Sequence, residues 1–434
     1  MKRKQFVQSI AGAFAALIGS GSFLSLSSPP RSHLIPNSSS RDASIEASDE
    51  KFWSIVRDQF PLTHERAYFN TGGLGASPFV VIETVKRKMD EFEGISEVGH
   101  TEEAWAAIKD KAAHILGSDP SEVTLTSCAT EGINIVVDGL PLKRRDEVIT
   151  TTHEHVGGIL AWLARQKFDG IVLKWFEPST RSREENLERL SRLITSRTRV
   201  ISISHITTTT GQELPVREIA QIAREKGLWY FLDGAQAAGM KPLNVKEIGC
   251  DFYATSGHKW LLGPKRTGLL YVRKELLDTV RPIFVGAYSD NGFDLMTGKV
   301  EFHPTAQRYE YGTYNAPLMI GLGTAMEFLQ TIGMDNVWRR NRALSTRVYE
   351  GLAEIQNVEM LSPSSPEDRG AMITFRMKNM KVEKLQSFLA DKYKLRTRFV
   401  GEANLNGLRI STHLYNSFEE VERLIKGVKE AAGQ

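Results

Sequence analysis

The sequence predicts an α/β fold, with a mostly parallel sheet in a large domain and a smaller α+β domain at the C-terminal end. From about residue 104, short β-rich runs alternate with amphipathic helical segments, and after residue 320 helices dominate and strands become fewer. Strands separated by helices of about ten residues imply βαβ units and a parallel sheet. Because ligands bind beyond the carboxyl ends of such strands, the polar residues that follow each strand are the candidate site residues.

The elements of the large domain follow one another in regular order. Trp105, Ile108, Ala112 and Ile115 recur at helical spacing and predict a helix over residues 104–116. The other predicted helices cover residues 184–194 and 216–227, and strands are predicted at residues 123–126, 147–152, 170–176, 199–204 and 228–232.

The C-terminal part has the pattern of a smaller α+β domain. Its predicted helices cover residues 321–331, 337–355, 381–393 and 417–431, and its predicted strands cover residues 372–377 and 408–411. No internal repeat is present in the sequence. The chain is therefore divided into an export signal and linker (1–48), an N-terminal segment that joins the small domain (49–70), a large domain (71–320) and a small domain (321–434).

The charge of the chain is concentrated in its first segment. The 434 residues carry a formal net charge of +3, and residues 1–48 hold five basic and two acidic residues. The remaining 386 residues (434 − 48) are therefore neutral in sum, which argues against a nucleic-acid-binding surface. A hydrophobic fraction of 41% and a charged fraction of 25% are ordinary for a soluble globular protein.

The first residues have the layout of an export signal. A basic start leads into an apolar run at residues 10–18 and then into small residues, and the run is too short and too interrupted to span a bilayer. The segment Arg3-Lys-Gln-Phe6 resembles a conservative variant of the twin-arginine motif, with the ordinary secretion route left open. We therefore expect recognition by the export machinery, a periplasmic location and no integral membrane domain; the alternative is a basic tail on a cytoplasmic protein.

The two cysteines, Cys128 and Cys250, are too few for a disulfide framework. They lack the spacing of metal ligands, so no metal site is expected. Both are interpreted as small buried hydrophobic residues, and whether they pair in an oxidising compartment stays open.

Three strand ends carry residues suited to chemistry. Ser127 to Asn134 begins a helix with small and hydroxyl residues, which suits either a phosphate or a simple N-cap. Asp233-Gly-Ala-Gln236 follows the strand at 228–232, where a single Asp is more often a turn former. The segment from Asp251 to Lys265 contains Ser256-Gly-His-Lys259 and a Gly-Pro-Lys, an unusual setting for a solvated lysine.

Together these motifs resemble the pyridoxal-phosphate (PLP) enzymes of fold type I. Asp233-Gly-Ala-Gln236 is followed 26 residues after the Asp (259 − 233) by Lys259 in its Ser-Gly-His-Lys context. More narrowly, the set is similar to the class V aminotransferase group, which includes cysteine desulfurases and isopenicillin-N-epimerase-like proteins. The resemblance covers roughly residues 65–425, and it implies a large domain with a mostly parallel sheet of the seven-stranded type.

The resemblance also implies roles for individual residues. Lys259 matches the lysine that forms a Schiff base with PLP and moves a proton at the substrate Cα. Asp233 matches the carboxylate beside the pyridine nitrogen, and His155 the aromatic ring stacked on the cofactor. The other residues with implied cofactor contacts are Ala129, Thr130, Ser256 and His258 around the phosphate, and Thr208 and Gln236 at the phenolic oxygen.

Three further residues extend the site beyond the cofactor. The segment around Thr313 resembles one that reaches the phosphate of a neighbouring subunit, which implies a homodimer with shared active sites. Arg409 matches the arginine that grips the substrate α-carboxylate by a bidentate pair. Asn70, in Asn70-Thr-Gly-Gly73, matches the loop near the substrate.

The cofactor machinery leaves the reaction open, because PLP serves several outcomes. Cysteine desulfurases carry a nucleophilic cysteine near the carboxylate-binding arginine, and residues 394–409 contain none, which disfavours persulfide chemistry by that route. The leading hypothesis is an exported, epimerase-like or aminotransferase-like PLP enzyme that acts on the α-amino group of an amino acid or peptide-linked amino acid. The alternatives are a periplasmic enzyme that modifies a siderophore side group of the pyoverdine type, a PLP-dependent lyase, and an exported binding protein that kept the fold.

Overall fold

A computed structural model of the chain describes residues 45–96 and 101–433. The export signal and linker expected over residues 1–48 therefore lie outside the described residues, apart from residues 45–48. Within the described ranges, no helix combines the length and the apolar character needed to cross a membrane.

Strands and helices are numbered separately in chain order. The strands are β1 (Ala67–Tyr68), β2 (Val123–Thr126), β3 (Glu147–Thr151), β4 (Val172–Phe176), β5 (Thr198–Ser204), β6 (Trp229–Asp233), β7 (Phe252–Ser256), β8 (Gly268–Val272), β9 (Asp290–Asp294), β10 (Lys299–Phe302), β11 (Val358–Met360), β12 (Met372–Met377), β13 (Leu395–Arg396), β14 (Arg398–Val400) and β15 (Gly407–Ser411). The helices are α1 (Glu50–Arg57), α2 (Phe79–Gly94), α3 (Glu102–Leu116), α4 (Ala129–Gly139), α5 (Val156–Asp169), α6 (Arg183–Ser191), α7 (Val216–Lys226), α8 (Val245–Ile248), α9 (Ala316–Ile332), α10 (Met334–Ala353), α11 (Val382–Tyr393) and α12 (Phe418–Ala432).

The large sheet has seven strands in the order β2-β8-β7-β6-β5-β3-β4. All neighbours pair in parallel except β8, which is antiparallel to both β2 and β7. The predicted α/β fold with a mostly parallel seven-stranded sheet is therefore confirmed.

This sheet is buried on both faces. Successive residues of one strand enter different apolar clusters: Phe231 packs in one and Leu232 in the other, and Phe252 and Tyr253 are divided in the same way. Side chains alternate between the two faces of a strand, so both faces are covered by apolar layers. The result is a rigid edge at which the carboxyl ends of the parallel strands meet.

The C-terminal part contains a four-stranded antiparallel sheet in the order β11-β12-β15-β14. Its core joins these strands to α10, α11 and α12. Two N-terminal elements attach to it: β1 pairs in parallel with β13, and Arg57 at the end of α1 forms a buried salt bridge of 3.2 Å with Glu420 of α12. The predicted smaller α+β domain is thus present as an antiparallel sheet with helices.

Some element ends differ from the sequence expectation for local reasons. The strand expected from residue 170 begins at Val172, because Gly170 ends α5 in the left-handed conformation (φ 74°). The helix expected from residue 321 begins at Ala316, where Asn315 accepts the backbone N–H of Leu318 and so caps the helix. Helix α6 ends at Ser191 rather than residue 194.

Candidate active site

The predicted site residues follow strands that meet at one edge of the large sheet. β2 leads into Ala129 and Thr130, β5 into Thr208, β6 ends at Asp233, and β7 leads into Lys259. These residues are distant in the chain, and the parallel register of β5, β6 and β7 places their carboxyl ends side by side. The site is therefore built on strand ends rather than within one segment of sequence.

Lys259 is the buried cation at the centre of this edge. Only 8% of the residue is exposed. Burial lowers the pKa of the Lys259 amine to about 8, with Arg409 and Arg398 lowering it further and Asp233 acting in the opposite direction. An amine that is partly unprotonated near neutral pH is suited to attack a carbonyl carbon and to exchange a proton.

His155 and Asp233 lie beside that lysine. His155 caps α5, and its Nδ1 accepts the backbone N–H of Gly157 at 3.0 Å. Burial and the charge of Lys259 lower the pKa of His155, whereas Asp233 raises it, so the ring is held neutral. Gly158 lies next to this carboxylate, since a Cβ there would be at ordinary contact distance, 3.4 Å, from Oδ2 of Asp233.

The start of α4 lies beside the end of β7, where the sequence predicts the phosphate cup. The backbone N–H of Ala129 donates to Oγ of Ser256 at 3.2 Å, and Cys128 gives the helix no side-chain cap. Nδ1 of His258 is buried without a hydrogen-bond partner among the described residues. Burial, followed by the charges of Lys259 and Lys265, lowers the pKa of His258 to about 4, so its ring is neutral.

Thr208, Gln236, Arg409 and Asn70 form a connected group on the other side of the site. Nη1 of Arg409 donates to the carbonyl oxygen and the hydroxyl of Thr208 at 2.7 and 2.8 Å, and Nη2 lies 3.4 Å from Oδ1 of Asn70. The amide of Gln236 donates to Oγ1 of Thr208 at 3.2 Å. Because Nε of Arg409 is buried without a partner among the described residues, its Nε–Nη2 edge is available to a carboxylate.

Thr313, like Thr130, is exposed, and it lies after β10 rather than at the end of a strand of the large sheet. Its neighbour Tyr311 donates from its hydroxyl to Oε1 of Glu131 at 3.2 Å, and Gly312 adopts the left-handed conformation (φ 64°). The segment is therefore held near the start of α4, and its predicted contact with a neighbouring subunit stays a prediction.

Sequence reasoning missed three ionisable residues of the site. Glu154 accepts hydrogen bonds from the hydroxyl of Thr151 (2.5 Å) and from the backbone N–H and hydroxyl of Ser204 (3.1 and 2.7 Å). Burial raises the pKa of Glu154 to about 7. The other two residues are Arg398 and Glu402, which form a salt bridge near Lys259. Only the position of Glu154 next to His155 offered a signal in the sequence.

The residues at this edge fit PLP, the cofactor implied by the family resemblance. An uncapped helix start, the hydroxyls of Thr130 and Ser256 and the unpartnered Nδ1 of His258 suit a phosphate. The Asp233 carboxylate suits a pyridine nitrogen, and the buried amine of Lys259 suits an aldehyde. Within the described residues, no group of three or more His, Cys, Asp or Glu side chains could hold a metal ion.

The two cysteines are both unpaired. Cys250 is buried, and burial raises the pKa of its thiol far above the usual range. Cys128 is partly exposed at the start of α4, and its electrostatic interaction with Lys259 raises the pKa of that lysine. The interpretation as a buried hydrophobic residue is therefore confirmed for Cys250 and wrong for Cys128, because the helix start at which it lies opens onto the site.

Comparison with known proteins assigns this architecture to a family. Residues 84–424 match the model of the family described as Aminotransferase class-V. The chain is 27% identical over 396 residues to a probable cysteine desulfurase of Pyrococcus abyssi, which covers 86% of this chain and 96% of that protein. It is also 27% identical over 391 residues to the isopenicillin N epimerase of Amycolatopsis lactamdurans, covering 87% and 98%.

Solved structures show the same likeness. The apo cysteine desulfurase of Thermococcus onnurineus matches with a TM-score of 0.79 and 26% identity, over 90% of this chain and 100% of that one. A complex of the cystine C–S lyase C-DES with its product cysteine persulfide matches with a TM-score of 0.78 and 26% identity, covering 86% and 99%. These comparisons do not favour the epimerase over the desulfurases, so the expected membership of a non-desulfurase branch stays a prediction.

Proposed function

Since the chain belongs to the class V aminotransferase family of PLP-dependent enzymes, we propose that it is an exported enzyme that acts at the α-amino group of an amino acid or a peptide-linked amino acid. Lys259 is the residue that bears the cofactor. The observation that carries the proposal is the buried Lys259 amine, whose pKa is about 8, at the strand edge that also holds Asp233 and His155.

Each residue of the site has a task in such a reaction. When bound, PLP supplies an electron sink for negative charge that develops at the substrate Cα. Asp233 would hold a proton at the nitrogen of the cofactor ring. The flat ring of His155 would stack on the cofactor ring and fix its tilt. Lys259 removes a proton from the substrate Cα and returns it, which its lowered pKa allows near neutral pH.

Arg409 orients the substrate for that proton transfer. Thr208 fixes one end of the guanidinium, which leaves the Nε–Nη2 edge for the α-carboxylate in a bidentate pair. The group is fully buried, so water is excluded from the pair and the electrostatic interaction is strengthened. Holding the carboxylate in this way sets the Cα–H bond towards Lys259.

The role of Lys259 is tested by replacing it. We expect Lys259→Ala to lose the visible absorbance of the lysine-bound cofactor and the covalent trapping of PLP by borohydride, because no other amine takes its place. Lys265→Ala, which changes an exposed lysine of the same loop, is the matched control and should keep both signals. Retention of borohydride trapping at wild-type levels in the Lys259→Ala protein would show that the assignment is wrong.

A lyase is the second candidate reaction, and two observations favour it. Residues 394–409 contain no cysteine, and one similar structure is that of a cystine C–S lyase. In an α,β-elimination, loss of the Cα proton to Lys259 is followed by departure of the Cβ substituent with the bonding electrons. Release of a 2-oxo acid and ammonia from a β-substituted amino acid supports the lyase, whereas exchange of the Cα hydrogen without loss of the side chain supports an epimerase or aminotransferase.

Export is proposed from the first residues of the chain, which have a basic start and an apolar run. A PLP enzyme is best loaded with its cofactor where that cofactor is made, which argues for folding before export. Fractionation of cells that express the full chain, compared with cells that express a chain lacking residues 2–44, tests this proposal. We expect the full chain in the periplasmic fraction and the shortened chain in the cytoplasm; equal cytoplasmic retention of both contradicts export.

A further inference from the structure

A second arginine lies beside Arg409 on the same face of the small antiparallel sheet. Arg398 on β14 is directly opposite Arg409 on β15. Residues directly opposite each other in an antiparallel pair project to the same face, with their Cα atoms about 4.5–5.5 Å apart. The pairing of these strands therefore presents two guanidinium groups side by side towards the site.

The charge of Arg398 acts on the site residues themselves. It lowers the pKa of Lys259, of His155 and of Arg409. Three cations therefore share this side of the site, and in Arg409 the cost of burial is increased by the like charge of Arg398. A like charge in this position is unfavourable unless an anion is bound between the groups.

One carboxylate of the chain partly compensates Arg398. Its Nη2 forms a short hydrogen bond with Oε1 of Glu402, four residues along the chain. The opposite end of the same guanidinium is unused, because Nη1 of Arg398 is buried without a hydrogen-bond partner among the described residues. A buried guanidinium N–H without an acceptor is costly, and an anion in contact with it removes that cost.

We propose that Arg398 is a specificity-determining residue that binds a second anionic group, on the side chain of the substrate. The inference deepens the proposed function and rests on it: Arg409 holds the α-carboxylate, and Arg398 holds a distal carboxylate. The substrate class is then an acidic amino acid of the aspartate or glutamate type, free or at the end of a peptide, rather than a neutral amino acid. Glu402 holds Arg398 in place and competes with the substrate for it.

The test uses ligands that cannot react at an amine. Succinate and glutarate carry two carboxylates and butyrate carries one, and calorimetric titration of the holoenzyme measures the affinity for each. We expect the dicarboxylates to bind about tenfold or more tightly than butyrate, because their second carboxylate forms a charge-assisted hydrogen bond with Arg398. Aspartate and glutamate should likewise shift the cofactor spectrum at lower concentration than asparagine and glutamine.

Variants of Arg398 and Glu402 distinguish a loss of ligand preference from a loss of folding. Arg398→Gln should remove the preference for dicarboxylates, because it lowers their affinity much more than that of butyrate. Glu402→Gln should strengthen dicarboxylate binding because it removes the competing charge. Arg396→Gln, which changes an exposed arginine two residues away, is the matched control. Should Arg398→Gln fold poorly, Arg398→Lys keeps the charge and is expected to give an intermediate preference.

Two results overturn the inference: equal wild-type affinity for mono- and dicarboxylates, or a preference that survives in Arg398→Gln. Neither result depends on the covalent role of Lys259, because these ligands form no bond with the cofactor. Failure of borohydride trapping on Lys259 instead contradicts the proposed function. The two failures are therefore distinguishable.

Discussion

At the scale of single residues, the amine of Lys259 differs from a surface lysine in its affinity for a proton. Burial holds its pKa near 8 rather than at the usual 10.5, although Asp233 opposes the shift. Below that pKa the amine is protonated and cannot attack an aldehyde, and above it the amine is free. The covalent loading of PLP should therefore respond to pH in a range where ordinary lysines do not react.

We expect the rate at which the apoprotein incorporates PLP to rise with pH and to level off above about pH 8 to 9. Stopped-flow measurement of the visible band between pH 6 and 10 gives the profile. Lys265→Ala should show the same profile, because that lysine is exposed and lies outside the strand edge. A rate that climbs steadily to pH 10 contradicts a depressed pKa.

Some site residues could be predicted from the local sequence, and others depend on contacts between segments that are distant in the chain. Asp233 ends β6 and Lys259 lies shortly after the end of β7, so their position could be predicted from the chain locally. Arg398 owes its place to the register between β14 and β15, which no local pattern specifies. Glu154 was visible beside His155, but its hydrogen bonds are with Ser204, which is 50 residues away in the chain.

At the scale of elements, the first turn of α5 contains two glycines that meet the site differently. A Cβ at Gly157 would lie 2.6 Å from Oγ1 of Thr130, closer than such atoms approach, and 3.1 Å from Nδ1 of His155. A Cβ at Gly158 would meet Asp233 at 3.4 Å, an ordinary contact distance. Alanine at either position changes the helix propensity by the same amount, but only alanine at Gly157 creates a steric clash. The two positions therefore form a matched pair of variants.

We expect Gly157→Ala to weaken PLP binding about tenfold or more, because Thr130 must leave the phosphate cup and a charge-assisted hydrogen bond is lost. Gly158→Ala should bind PLP nearly as the wild type does. Equilibrium titration of the apoproteins with PLP, followed by absorbance, measures both. Equal affinities in the two variants contradict the placement of Thr130 at the phosphate.

The direction of β8, one of the strands that the sequence did not predict, follows from the connection that precedes it. Only residues 257–267 separate β7 from β8, and this stretch contains no helix among the described elements. A parallel return needs a longer crossover, usually through a helix, so β8 runs antiparallel.

At the scale of the whole molecule, the exposed position of Thr313 is consistent with the homodimer that the resemblance implies. We propose that Thr313 contributes to the phosphate cup of the neighbouring subunit. A heterodimer of Lys259→Ala and Thr313→Ala chains then contains one site with both substitutions and one site with neither. If Thr313 served its own chain, both sites of that heterodimer would be defective.

We expect the purified heterodimer, isolated through two different tags, to load PLP at one site of two with wild-type affinity. The Thr313→Ala homodimer should bind PLP more weakly at both sites, and the Lys259→Ala homodimer should trap none. Borohydride trapping and mass spectrometry count the loaded chains. A heterodimer without a site of wild-type affinity, or a protein that remains a 48.6 kDa monomer, contradicts the shared site.

The order of the site residues along the chain sets the order in which a ribosome makes them. All the strands that lead to Lys259, Asp233 and His155 are complete once β8 has been synthesised, at residue 272, whereas Arg409 follows 137 residues (409 − 272) later. N-terminal units fold first during synthesis. The residues proposed to hold the cofactor are thus synthesised well before the arginines proposed to hold the substrate. A growing chain can therefore form the cofactor site before it can form the substrate site.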